Sequence, residues 1–346
     1  MNLEGKRILV TGGTGSLGQM LVRRLLSDEL GKPAKVVVFS RDEAKQHYMR
    51  LDFQHRGAAT DDIIYQNSRE RLTFRIGDVR DYGSLLSAVR DADVVFHAAA
   101  LKQVPTCEYF PYEAVLTNIS GPNNLVRTIR ENDTPVELVV GISTDKACKP
   151  INVMGMTKAL QERILLEANL GAKGTRFMCV RYGNVIASRG SVVPLFVDQI
   201  KRGGPVTITL PEMTRFLLSL DRAVDTIFAA VREGKPGETY IPKVPAAKMV
   251  DVATALMNGR DIPVVYTGVR PGEKLHEIMV SEEERFRTIE RNDYYVIRPI
   301  LPELRQDEAD FKPVLDQEYS SEFDNISLDQ LRKLLVEAAG DIELFS

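Results

Sequence analysis

The sequence predicts an α/β protein in which a doubly wound parallel sheet is followed by a smaller mixed α/β C-terminal lobe. Two observations carry this reading. From the first residue to about 180, short β-branched runs alternate with longer helical patterns, and after Tyr182 that rhythm breaks. The runs Ile8 to Thr11, Lys35 to Phe39, Leu72 to Ile76, Val94 to Ala98, Leu138 to Ile142 and Phe177 to Val180 are the expected strands. Stretches such as VVVF and DVVFHAAA are continuously apolar, as strands covered on both faces by crossover helices are. Beyond Ser191, helical patterns at Val192 to Lys201, Asp221 to Val231 and Ser327 to Leu335 mix with short strands at Val206 to Thr209, Val264 to Thr267 and Tyr294 to Ile297. The expected division is residues 1–190 and residues 191–346, some later segments being free to return to the first unit. Arg305 to Ser321 is polar and acidic and reads either as a loop laid over the surface or as a partly mobile segment.

Composition narrows the function. The 346 residues include 45 Lys plus Arg against 48 Asp plus Glu, so no broad basic surface is offered to nucleic acid. With 44% hydrophobic residues the chain can bury a large core. Three cysteines, Cys107, Cys148 and Cys179, lack metal-type spacing, and the four histidines are scattered, which sets aside disulfide and zinc frameworks. Neither a signal-peptide pattern nor a stretch near the ~20 apolar residues of a membrane span is present. A reduced, cytoplasmic protein is expected.

The first strand runs into Thr11-Gly-Gly-Thr-Gly-Ser-Leu-Gly18 and then an amphipathic helix, Gln19 to Leu26. Gly12, Gly15 and Gly18 keep a three-residue spacing, and with Thr14, Ser16 and Leu17 they form a turn where a pyrophosphate can approach backbone N–H groups. Strand, glycine turn, helix and second strand in that order are the setting in which the motif binds a dinucleotide. The second strand ends in Ser40-Arg41, with Lys45 one turn on, where an NAD site usually offers an acid. Two cations and a hydroxyl suit a 2′-phosphate, so NADP is expected over NAD, with Asp42 and Glu43 as counter-evidence. Asp78 and Val79, after the third strand, are placed for the adenine edge, and Ala98, Ala99 and Ala100 for the nicotinamide half.

Strand five ends in Ser143-Thr144-Asp145-Lys146, and Met154 and Lys158 share one face of the helix that follows. Ligands of open α/β sheets lie at the carboxyl ends of strands, so Thr144, Asp145 and Lys146 fall where a substrate would meet the cofactor.

These features resemble an extended short-chain dehydrogenase/reductase with a Rossmann domain. More narrowly, STDKACKPINVMGMTK, RYGNVIASRGSVVPLF, MTRF and RPGEKLHE resemble the bacterial UDP-N-acetylglucosamine 4,6-dehydratases of capsule, O-antigen and flagellin-glycan synthesis. The resemblance implies a tightly bound, recycled NADP and a homo-oligomer. It implies oxidation at C4, loss of water across C5 and C6 with Lys146 as base and Asp145 as acid, and return of hydride to C6, with inversion at C5 expected. Thr144 would bond the C4 hydroxyl and Lys158 the nicotinamide ribose. Met154 stands where the wider family carries a tyrosine base, and a thioether takes no proton at neutral pH. Asn184, Arg189, Ser191, Arg215, Arg270 and Glu273 are the expected contacts of the UDP half, with Lys102 a candidate at the sugar. A 4-epimerase and a non-catalytic NADP-binding sensor are the competing readings. Asn118 is expected to tether backbone beside the active-site strand, and Cys148 to pack.

Overall fold

The computed structural model describes residues 1–54, 71–171, 174–186, 191–305, 313–323 and 325–339. The six expected strands form as β1 (Arg7–Thr11), β2 (Lys35–Ser40), β3 (Leu72–Ile76), β4 (Val94–His97), β5 (Leu138–Ile142) and β6 (Arg176–Val180). Later come β7 (Asn184–Val185), β8 (Val206–Ile208), β9 (Thr214–Leu218), β10 (Thr239–Pro242), β11 (Ala246–Lys248), β12 (Val264–Tyr266), β13 (Ile278–Val280), β14 (Thr288–Arg291), β15 (Tyr294–Ile297) and β16 (Tyr319–Ser320). The helices of the first half are α1 (Ser16–Leu26), α2 (Glu43–Gln54), α3 (Tyr82–Val89), α4 (Val104–Tyr109), α5 (Pro111–Val115), α6 (Gly121–Arg130) and α7 (Val153–Glu167). Those of the second half are α8 (Val192–Lys201), α9 (Leu220–Glu233), α10 (Met249–Met257), α11 (Glu282–Arg285) and α12 (Leu328–Ala339).

Nine strands make one sheet in the order β3-β2-β1-β4-β5-β6-β10-β15-β14. From β3 to β10 every pairing is parallel, and β15 and β14 close the far edge antiparallel. Alternate residues of each strand feed opposite cores. Ile8, Val10, Val94 and Phe96 pack with α1 and α9 on one face, while Leu9, Val95, Val139 and Phe177 pack with α3, α6 and α7 on the other. The chain reverses direction of travel across the sheet between β1 and β4, which opens the ligand crevice at their carboxyl ends.

Three expectations change. Tyr294–Ile297, assigned to the smaller lobe, lies in the large sheet. Its YYVI run is mostly buried, and a hairpin adds antiparallel strands to a parallel edge without a crossover helix. Within Arg305–Ser321, residues 306–312 lie outside the described residues, but Tyr319–Ser320 is a strand paired with β13 rather than loop. The first helix starts at Ser16, three residues early, because the glycine turn itself supplies its first turn. The lobe proper has its own core, in which Phe196 and Ile200 of α8, Val252 and Leu256 of α10, and Leu331 and Leu335 of α12 enclose Val206 and Ile208.

One buried ion network ties sheet to lobe. Arg181, just past β6, donates to both oxygens of Glu162 on α7 at 3.0 and 2.7 Å, to both of Glu284 on α11 at 2.7 and 3.0 Å, and to the Met279 carbonyl at 2.8 Å. Burial alone would push the Glu284 carboxyl up, but the Arg181 charge overrides it and holds the group near 2. Removing the guanidinium leaves two buried carboxylates without the cation they share, although Arg287 stands 3.8 Å from Glu284. Arg181→Met is expected to lose about 3–5 kcal/mol of unfolding free energy by urea denaturation at neutral pH. The stability that Glu284 contributes is present above the ordinary carboxylate pKa and is lost as pH falls toward its folded value near 2. The gap between variant and wild type should therefore narrow as the medium is acidified.

Candidate active site

The centre of the site is the turn after β5. Ser143 N donates to the Val180 carbonyl at 2.7 Å and Asp145 N to the Tyr182 carbonyl at 3.0 Å, which prolongs the β5–β6 pairing. Asp145–Ala147 then form one 3-10 turn capped by Thr144. Asn152 starts α7 by accepting from Gly155 N at 2.7 Å, and its amide reaches the Gly272 carbonyl of the lobe at 2.7 Å. A Cβ on Gly155 would lie 2.2 Å from the Lys146 carbonyl oxygen, so this glycine lets the helix rest against the turn.

Five side chains meet there. Asp145 is fully buried, and its Oδ1 accepts from Thr144 Oγ1 at 2.8 Å and from Lys146 Nζ at 3.0 Å. The same ammonium reaches Asn184 Oδ1 at 3.2 Å and Glu277 Oε1 at 3.2 Å. Burial raises the Asp145 pKa, with the neighbouring Glu277 charge adding to it against the pull of Lys146. Burial works against the Lys146 ammonium, but the charges of Asp145 and Glu277 outweigh it and hold its pKa above the ordinary lysine value. Asp145 Oδ2 and Glu277 Oε2 are buried and meet no hydrogen-bond partner among the described residues. Asp145 Oδ2 faces Gly183, where a Cβ would stand 3.3 Å from it and 2.6 Å from Phe216 Cβ.

The glycine turn fits a dinucleotide. Gly12 has φ +68°, and a Cβ on it would lie 2.7 Å from Ala99 N, so β1 and the segment after β4 touch through backbone alone. At Gly18 a Cβ would lie 2.5 Å from Gly13 Cα. Gly15 differs: the nearest atom to its Cβ would be Gly12 O at 3.4 Å, leaving room at the N-terminus of α1 where Ser16 begins the helix and Leu17 turns to the core. Thr14 Oγ1 donates to Ser40 Oγ at 3.1 Å, joining the turn to β2. Arg41 is half exposed, 3.8 Å from Asp78, and Lys45 pairs with Asp42 at 2.8 Å. Asp78 is gripped by Arg80 at 2.9 and 2.7 Å, and Val79 is buried. Ala98, Ala99 and Ala100 follow β4 with partial exposure.

Lys158 is buried, and its Nζ donates to the Ile142 carbonyl and to Gln161 Oε1, both at 2.6 Å. Burial pulls its pKa down to about 8, partly offset by Glu162. Met154, four residues earlier, packs with Cys107 and Ala114 in a small apolar cluster. Of the candidate contacts in the lobe, Arg215 is buried, donating to the Thr214 and Leu275 carbonyls at 2.7 and 3.0 Å and lying 3.4 Å from Glu273. Glu273 also accepts from Thr209 Oγ1 at 3.2 Å. Asn184, expected at the diphosphate, stands on Lys146. Ser191 precedes α8 with its hydroxyl buried and without a partner among the described residues. Arg270 and Lys102 are exposed, and Arg189 lies outside the described residues.

Asn118 tethers backbone as expected: its side chain accepts from Leu101 N at 2.8 Å and donates to Leu101 O at 2.9 Å and Thr157 Oγ1 at 3.0 Å. Cys148 is buried with its thiol pushed up to about 12 by that burial, which suits packing. Sequence reasoning missed Glu277, although it closes the RPGEKLHE motif, because only the fold brings it to Lys146. It also missed His97, whose Nδ1 meets Thr11 Oγ1 at 3.0 Å and which burial, aided by the Lys158 charge, keeps neutral with a pKa of about 3.

Residues 8–299 match the family described as polysaccharide biosynthesis protein. A UDP-glucose 4-epimerase of Rickettsia akari is 41% identical over 341 residues, covering 96% of this chain and 95% of that protein. An uncharacterized membrane protein of Methanocaldococcus jannaschii is 42% identical over 86% of each chain. In the present chain no helix among the described residues is long and apolar enough to cross a membrane. Among solved structures, Pen from Bacillus thuringiensis shares 34% identity at a TM-score of 0.85, over 97% of this chain and all of that one. DesIV, a dTDP-glucose 4,6-dehydratase from Streptomyces venezuelae solved with NAD and TYD, shares the fold at 22% identity and a TM-score of 0.64, over 78% of this chain and 86% of its own. Fold, glycine cradle and the Thr-Asp-Lys turn together define an extended short-chain dehydrogenase/reductase of the sugar-nucleotide type. Within that class, the chain belongs to the polysaccharide biosynthesis protein family.

The space at Gly15 separates cradle from scaffold. Gly15→Ala is expected to leave the melting temperature of the cofactor-free protein within about 1 °C of wild type, because no protein atom is crowded. The added methyl meets the pyrophosphate instead, and dinucleotide affinity measured by calorimetry should fall about tenfold or more.

Proposed function

We propose that the protein is a UDP-N-acetylglucosamine 4,6-dehydratase that inverts C5, giving a UDP-2-acetamido-2,6-dideoxy-4-hexulose. The observation that carries the proposal is the buried Asp145 carboxylate sharing one oxygen with Thr144 Oγ1 and Lys146 Nζ. Held at the glycine turn and by Lys158, a bound nicotinamide would supply the hydride chemistry that links C4 to C6. Everything else falls to the chain. Thr144 receives the C4 hydroxyl proton and passes its own to Asp145 Oδ1, which replaces the tyrosine route that Met154 closes. Asp145 then gives that proton to the departing C6 oxygen, and its raised pKa suits a group that must hold a proton between two steps. Lys146 takes the C5 proton, and a solvent proton replaces it on the opposite ring face. The proton that leaves O4 is thus the one that completes the water.

We assign NADP as the cofactor, on the strength of the half-exposed Arg41 guanidinium beside the end of β2, which suits a 2′-phosphate. Lys158 would hold the nicotinamide ribose by turning from the Ile142 carbonyl, and Arg189, Arg270, Ser191 and Lys102 are the lobe and loop groups left for the UDP-sugar. A second reading is 4-epimerisation, favoured by the name of the Rickettsia akari relative. It needs no group to protonate a leaving oxygen and no base at C5, so Asp145 would serve the C4 hydroxyl alone and Lys146 would have no carbon-bound proton to take.

With UDP-N-acetylglucosamine in D2O, NMR should show a new C6 methyl group and deuterium at C5; a C4 epimer with its hydroxymethyl intact would establish the epimerase instead. Asp145→Asn is expected to cut dehydration by about 10²–10⁴-fold. Met154→Tyr should shift the pH profile without abolishing turnover. The Lys158 ammonium is lost as pH rises through about 8, so affinity for the dinucleotide should weaken across that range in wild type and stay level in Lys158→Met, read by titration calorimetry.

A further inference from the structure

Lys146 presents a difficulty to any mechanism that uses it as a base. Its ammonium has three N–H bonds, and the structure gives it three acceptors: Asp145 Oδ1 at 3.0 Å, Asn184 Oδ1 at 3.2 Å and Glu277 Oε1 at 3.2 Å. A nitrogen so engaged has no lone pair for the C5 proton. One proton must leave first, and the three acceptors are unequal. An amide oxygen does not keep a proton, which removes Asn184. Asp145 is occupied with the proton moving from O4 to O6. Glu277 remains.

Resting on the dehydratase reading, we propose that Glu277 is the proton acceptor that discharges Lys146 before the C5 proton is taken, and so is a third ionisable member of the catalytic centre. Its place in the fold suits this. Glu277 is 2% exposed and is held by its backbone from both sides, Glu277 N donating to Ser321 Oγ at 2.9 Å and Glu277 O accepting from Ser321 N at 2.8 Å. The carboxylate points at Nζ, and Oε2 is buried without a partner among the described residues. The groups that face it are Lys146 and Asp145 on the turn, Arg215 on β9 with Nε at 3.9 Å, and Lys274 on its own loop. Burial disfavours the charged carboxylate, but Lys146, Arg215 and Lys274 outweigh it, so Glu277 rests ionised and able to receive a proton.

The step balances. One Nζ–H bond breaks and an Oε1–H bond forms, leaving a neutral amine and a carboxylic acid. The amine takes the C5 proton and becomes an ammonium again. Glu277 then releases its proton to solvent, which supplies the proton added to the opposite face of C5, and both groups return to their starting forms. Because the transfer is internal, the amount of neutral Lys146 does not depend on bulk pH while the pair shares one proton.

Glu277→Gln tests this in the full-length, cofactor-loaded protein. Glutamine keeps an oxygen for the ammonium but cannot carry the proton away. With UDP-N-acetylglucosamine in D2O, the variant should still oxidise C4, seen as near-ultraviolet absorbance of reduced nicotinamide. Deuterium uptake at C5 and formation of the C6 methyl should fall by about 10²–10⁴-fold, with KM within about threefold of wild type. The lost rate should return as pH is raised, because Lys146 must then discharge to solvent, whereas wild type stays level over that range. A merely structural Glu277 would not produce that alkaline recovery. If the glutamine variant does not fold, Glu277→Asp carries the test: it keeps an acceptor carboxylate and should be slower without alkaline recovery. A Glu277→Gln enzyme matching wild type in rate and pH profile overturns the role of Glu277 alone. A wild type that makes no C6 methyl overturns the dehydratase reading and this proposal with it.

Discussion

The ammonium of Lys146 is where three distant stretches of the chain are made to agree. Asp145 approaches it from the turn after β5, Asn184 from the short strand β7, and Glu277 from the residue preceding β13. A partly buried cation is tolerated best when its donors are met, and here each acceptor is set by a different piece of backbone. The Asp145 turn is an extension of β5–β6 pairing, and Asn184 sits in a strand paired with β9. Glu277 is pinned to Ser321. The site is therefore a by-product of correct register in three sheets, and an error in any of them would strand a charge.

The cofactor side is governed by the opposite constraint, closeness without charge. Gly12 and Gly18 let backbone meet backbone at distances no side chain could occupy, while Gly15 leaves space that no protein atom fills. Asn118 extends the same economy to the segment after β4, its amide satisfying both the N–H and the carbonyl of Leu101 where no strand neighbour is available. Rigid polar groups on one side and bare backbone on the other give the crevice two distinct walls.

Much of this was legible from residues alone. Continuous apolar runs marked β1 to β6 because both sheet faces are covered, and the glycine turn declared itself by lying between a strand and a helix. Asp145 and Lys146 were legible because they adjoin in sequence at a strand end. The partners were not. Nothing local distinguishes Glu277 from the other charges of RPGEKLHE, and its importance arises only when β13 pairs with β16. The YYVI run of Tyr294–Ile297 reads alike at a sheet edge or in a lobe, and only the antiparallel pairing with β10 decides. Asn184 is expected at a ligand because of where its motif falls, whereas its amide oxygen meets the Lys146 ammonium from 38 residues away in the chain. Long-range electrostatic pairing has no period or spacing by which a sequence could announce it.

The attachment of Glu277 to Ser321 bears on how such a protein can diversify. The lobe that would choose the sugar also delivers a carboxylate to Lys146, so on the proposed reading recognition and chemistry would share one stretch of backbone pairing at residues 277 and 321. A recombinant that exchanged everything beyond residue 190 would replace β10, β14 and β15 of the large sheet as well, and would import a foreign carboxylate and its anchor together. Lineages of this architecture would thus inherit the Glu277 and Ser321 segments as one module.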